Sequence, residues 1–210
     1  MFEKEISIPL AKEKITGTLA GVEGAKGLVI FIHGSGSSRK SPRNQLVAKE
    51  LRKEGLATLL FDLLTPREEG VDDVTAGLRF NIPMLAERSA LVVDWAKKEL
   101  GLKVGLFGAS TGAAAALMAA AIKKETVKAV VSRGGRPDLA MESLPEVVAP
   151  TLLIVGGEDG PVIEMNQQAL EKLAGEKELK IIQGATHLFE EKGKLEQVAK
   201  DAREWFARYL

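Results

Sequence analysis

The chain has 210 residues, no cysteine, and 29 basic side chains against 29 acidic ones. Its length fits one domain, residues 1–210, and the charge balance gives no overall field to draw nucleic acid or an anionic membrane. The lack of cysteine excludes disulfides, thiolate metal sites and a cysteine nucleophile; with no signal-peptide core in 1-MFEKEISIPL-10, a cytoplasmic location is expected.

In chain order, residues 3–10 and 14–20 alternate as an N-terminal hairpin. Residues 27–33 form a continuous apolar run, the pattern of a strand buried on both faces, and lead into 33-HGSG-36. Ser41 followed by Pro42 starts a helix over 42–55, which ends on glycine. A strand over 56–62 precedes a long loop, 63–81. That loop is the expected partial cover of any site, with Gly70 and Gly77 as hinges. Asn81 caps a helix over 82–100. A strand over 102–108 then turns through 108-GASTG-112 into an alanine-rich helix over 111–124. The apolar run 113–122 is too short to span a bilayer. After a strand over 127–133, residues 133–150 have room for a short helix but no separate lid. A strand over 151–157, a helix opened by Pro161 over 161–175 and a strand over 178–184 follow. The last helix sets Leu195, Val198, Ala199, Ala202, Trp205, Phe206 and Tyr209 on one face, which reads as core.

Strands alternating with helices predict an α/β fold with a mostly parallel sheet and helices on both faces. Ligands in such sheets sit beyond the carboxyl ends of the strands, where this chain places His33, Asp62, Ser110, Arg133, Asp159 and His187. Ser110 stands between glycines at a strand-to-helix turn. Such a turn can expose a nucleophile in a strained conformation or bring backbone close to a nucleotide phosphate. A serine hydroxyl needs a base, and a histidine base needs a carboxylate to orient it. His187 and Asp159 each follow a strand, giving the order Ser110, Asp159, His187 expected of a serine-turn hydrolase.

The segments 33-HGSG-36, 108-GASTG-112, 151-TLLIVGGEDGPV-162 and 183-QGATHLFEE-191 resemble the α/β-hydrolase superfamily, and more narrowly its small dienelactone-hydrolase-like branch. The resemblance runs from about residue 15 to residue 210. It implies an α/β-hydrolase fold with minimal or no cap domain and a serine hydrolase acting on small carboxylic esters or related acyl compounds. Ser110 would attack the acyl carbon, His187 would shuttle the proton and Asp159 would orient His187. The N–H groups of Thr111 and Ser35 would hold the oxyanion, with Gly34 and Gly36 letting the loop bend close. Dienelactone hydrolases proper use cysteine where this chain has Ser110, so their substrate does not carry over.

His33 is expected to fasten its loop by hydrogen bonds, and Asp62 to fix a loop as a carboxylate. Arg133 and Arg136 are candidates to hold an anionic group of a substrate in the cleft, although pairing with Asp138 or Glu residues, or solvation, is the commoner fate of loop arginines. No Walker-type pattern or clustered histidines occur, so no cofactor and no metal is expected. The partner is a small-molecule ester, with monomer and dimer both open. Two rival readings stand: a non-catalytic binder on the same fold, and an NADP-binding oxidoreductase that uses Gly108, Gly112 and Ala114 as its glycine turn. The second leaves Asp159 and His187 unexplained.

Overall fold

A computed structural model describes residues 1–10 and 13–210. Among them, eight strands form one sheet: β1 (Phe2–Leu10), β2 (Glu13–Gly21), β3 (Gly27–Ile32), β4 (Ala57–Phe61), β5 (Lys103–Ala109), β6 (Val127–Arg133), β7 (Thr151–Gly156) and β8 (Lys177–Ile182). Their spatial order is β1-β2-β4-β3-β5-β6-β7-β8. β1 and β2 form the expected antiparallel hairpin, whose connection, residues 11–12, lies outside the described residues, and β2 meets β4 antiparallel. From β4 to β8 every pairing is parallel.

The central strands are apolar on both sides because helices cover both. All six residues of β3 are buried, as are all five of β4. One face carries α3 (Ile82–Leu100), α4 (Thr111–Ile122) and α5 (Gly160–Lys172) over Leu28, Ile30, Leu106 and Leu153. The other carries α1 (Pro42–Lys53) and α6 (Lys194–Tyr209) over Val29, Phe31, Phe107 and Ile154. The predicted apolar face of α6 is the one that packs: Val198, Ala199, Ala202, Trp205 and Phe206 are buried. Gly105 makes room for it, since a Cβ there would stand 2.7 Å from Phe206 Cε1.

The segment 63–81 departs from its expectation as a hinged loop. It contains α2 (Pro66–Thr75), started by a capping box. The Thr65 N–H donates to Glu68 Oε2 (2.8 Å), and Thr65 Oγ1 accepts from the Glu68 N–H (3.3 Å). Arg88 of α3 clamps Glu68 through two bonds of 2.7 and 2.8 Å. Gly70 lies inside the helix, where intrahelical bonds fix its backbone, so it is no hinge. Beyond the helix, buried Asp72 accepts from the N–H groups of Leu78 (2.7 Å) and Arg79 (3.0 Å), which fastens the stretch around Gly77. In the gap before β7 only two short 3-10 turns occur, Pro137–Ala140 and Leu144–Glu146, so no cap domain is inserted there.

Candidate active site

β5 delivers Ser110 at its carboxyl end and α4 begins one residue later. Ser110 has φ 51 and ψ −123, a backbone state that costs a non-glycine residue of order 1–3 kcal/mol and persists only where neighbours enforce it. The neighbours here are glycines that admit very close packing. A Cβ on Gly112 would stand 2.3 Å from the carbonyl oxygens of both Ile32 and His33, and one on Gly108 would stand 2.4 Å from Ala113 Cα. The Ser110 N–H donates to the Arg133 carbonyl (3.1 Å), tying the turn to β6.

The three predicted side chains meet. His187 Nε2 lies 3.3 Å from Ser110 Oγ, and His187 Nδ1 lies 2.6 Å from Asp159 Oδ2. The imidazole is about one-third exposed while Asp159 is only 15% exposed, so one ring edge faces the cleft and the other is shielded with its carboxylate. Gly134, with φ 51, lies against the ring, and a Cβ there would come within 3.4 Å of His187 Cε1. A hydroxyl, an imidazole and a largely shielded carboxylate in this sequence can pass a proton from oxygen to nitrogen and stabilise the cation that results.

Two further residues support the loop that carries the histidine. Phe189 is fully buried at φ 57 and plugs the loop into the α1–α6 side of the core. Glu191 accepts from the Thr186 N–H at 3.1 Å. Nothing in a short apolar–acidic run marks a residue for the left-handed region, so only the fold reveals the Phe189 anchor.

The loop after β3 passes close to the serine turn: a Cβ on Gly34 would stand 2.9 Å from the Ala109 carbonyl oxygen. Gly36 takes φ 68. The Ser35 N–H donates to Thr111 Oγ1 (2.9 Å), so in this structure it is engaged by the residue that follows the serine. His33 fastens the loop as expected. Its Nδ1 pairs with the Gly34 carbonyl (3.0 Å), and its Nε2 accepts from the Leu63 N–H (3.2 Å), which makes it the neutral Nδ1–H tautomer. Asp62 also fixes a loop, accepting from the N–H and Nε of Arg39 at 2.9 and 2.8 Å.

Burial pushes the His33 imidazole below its ordinary value of 6.5, opposed in part by the Gly34 bond and the Asp62 charge. Between the depressed folded value and 6.5 the unfolded chain binds more protons than the folded one, so this contribution is complete above 6.5 and is lost as pH falls through that window. His33→Gln is expected to flatten that part of the acid limb in urea unfolding between pH 7 and 5. An unchanged slope would assign the acid sensitivity elsewhere.

Beside the loop 33–37 lies a cavity of about 290 Å³, walled by Ser35, Leu63, Leu64 and Leu85 and, on the α2 side, by Asp72 and Arg79. The arginines separate. Arg136 pairs bidentately with Asp138, both contacts 2.8 Å, which is the commoner fate noted above. Arg133 does not line this cavity. Strand alternation puts its side chain on the α1–α6 face with Val131, where it is buried, at 6% exposed. Among the described residues, no helix is long and apolar enough to cross a membrane.

Residues 25–208 match a family model described as an alpha/beta hydrolase domain. A dienelactone hydrolase from Anabaena variabilis is 57% identical, with 100% of this chain and 98% of that one covered and a TM-score of 0.97. Est1E from Butyrivibrio proteoclasticus shares the fold at 18% identity, with 97% and 98% covered and a TM-score of 0.81. Curated relatives from two Mycobacterium tuberculosis strains carry the provisional name phosphoribosyl transferase. They are 52% identical over 211 residues, 99% of this chain and 47% of theirs. The chain therefore spans about half the length of the curated relatives it matches.

Proposed function

The chain belongs to the α/β-hydrolase family and is dienelactone-hydrolase-like; from that premise we propose that it is a serine hydrolase of small carboxylic esters or related acyl compounds. The observation that carries this reading is the unbroken contact path Ser110 Oγ, His187, Asp159, with 3.3 and 2.6 Å between its members. Ser110 Oγ attacks the acyl carbon while His187 Nε2 takes its proton. The imidazolium is held by Asp159 and then protonates the leaving alkoxide, which departs as the alcohol. Water repeats the sequence on the acyl-enzyme and releases the acid.

The oxyanion forms beside the start of α4, where the Thr111 N–H and the helix dipole favour negative charge. The Ser35 N–H is the second donor. Its bond to Thr111 Oγ1 holds it close by, and the arriving oxyanion competes for it as the stronger acceptor. The 290 Å³ cavity next to Ser35 takes one side of the ester. The transferase name belongs to relatives about twice this length, of which this chain matches about half.

The test uses a fluorophosphonate probe and short-chain aryl esters. Labelling of intact protein on Ser110, together with ester turnover, is expected. A non-catalytic binder would leave Ser110 unlabelled and the esters uncleaved.

A further inference from the structure

Arg133 is a buried cation without a partner. Its Nε and Nη1 make no hydrogen bond, and no carboxylate among the described residues pairs with it. Three residues further on, Arg136 has Asp138. Water can satisfy an N–H, but it does not supply the opposite charge that buried guanidinium groups ordinarily keep.

A second arginine acts on the same place. Arg43, in the first turn of α1, has a buried Nε that is also unpartnered, while its Nη1 reaches Glu190 at 3.2 Å. Glu190 follows Phe189 in the loop that carries His187, so Arg43 bridges that loop to α1. Arg133 is held down to about 10, mainly by burial and further by the charge of Arg43. Arg133 precedes Gly134, which lies against His187, and Arg43 reaches Glu190 of the same loop, so two like charges and three unspent N–H-bearing nitrogens adjoin one loop beside a helix start. An anion resolves all of these at once: it supplies the missing charge, accepts the donors and suits the helix start.

We propose that Arg133 and Arg43 form a buried subsite for an oxyanion of the phosphate or carboxylate type, behind the loop that presents His187. The oxyanion belongs either to the substrate or to a free ion, and the two arms of the test separate these sources. Only the second arm rests on the hydrolase reading.

In the first arm, the full chain is titrated with inorganic phosphate against chloride at constant ionic strength, by calorimetry and thermal unfolding. Saturable binding and a rise in Tm are expected. Arg133→Met and Arg43→Met are each expected to weaken binding at least about 10-fold, the loss of a charge-assisted contact. Arg43 is partly exposed and its replacement carries the comparison should Arg133→Met fail to fold. In the second arm, phosphate is added to the ester assay. Competitive inhibition assigns the subsite to a substrate group, and non-competitive inhibition or activation assigns it to a free ion. Absence of phosphate binding by the unaltered chain, or binding undiminished in the folded variants, overturns the proposal. If no ester is turned over, the hydrolase reading falls and the titration arm still decides the subsite.

Discussion

Ser110→Ala is expected to lower kcat on an aryl ester by about 10⁵-fold or more, close to 7 kcal/mol of barrier, with KM changed far less. The hydroxyl contributes to attack and little to ground-state binding. His187→Ala should cost a similar factor, because a serine with no base 3.3 Å away is an ordinary alcohol. The double substitution should be scarcely worse than either single one, since the residues act as a unit. Asp159→Asn should cost about 10⁴-fold by holding the wrong imidazole tautomer. Steady-state kinetics on purified, folded variants read all four. Additive losses in the double variant, or activity surviving Ser110→Ala, would mean that the contact path is not the reaction path.

The largest stability effect is expected at Gly112. A methyl group there would sit 2.3 Å from two backbone carbonyl oxygens, and backbone, unlike a flexible side chain, cannot swing away. Gly112→Ala should destabilise the chain by about 3 kcal/mol, the upper end for overpacking. That corresponds to a Tm lower by about 6–12 °C for a domain of this size. Gly24→Ala is the contrast. Gly24 has φ 73 but nothing within 4 Å, so it carries only the left-handed penalty of about 1–2 kcal/mol. A loss at Gly112 no greater than that at Gly24 would show that the close carbonyl oxygens give way and that collision does not set the cost at the turn.

The strands and the serine turn were legible in the sequence because one signal dominates each. A run such as 27–33 has no polar residue until His33, and only burial on both faces accommodates that. The order Ser110, Asp159, His187 likewise sets three residues distant in sequence at one sheet edge, because each follows a strand. The segment 63–81 hides its helix for the opposite reason. Thr65-Pro66-Arg67-Glu68 carries a helix start, a capping residue with proline next and an acid at the third position. The helix that follows is polar on nearly every side and contains Gly70, so no apolar stripe announced it. The burial of Arg133 is not legible in the sequence because loop arginines usually face water or an acid. Its burial follows from ending a central strand on the covered face, which only the register with Ala109 and Ile154 determines. The engagement of the Ser35 N–H by Thr111 depends on two loops 76 residues apart, and no local pattern encodes it.

α6 has a consequence for the order of assembly. It covers Phe31 and Phe107, yet it follows them by more than 80 residues. While the ribosome is still making residues 194–209, the nascent sheet lacks the helix that shields one side of its middle strands. Both faces of the middle strands are thus covered only once residues 194–209 have been made, and until then the apolar surface around Phe31 and Phe107 is bare where α6 will lie.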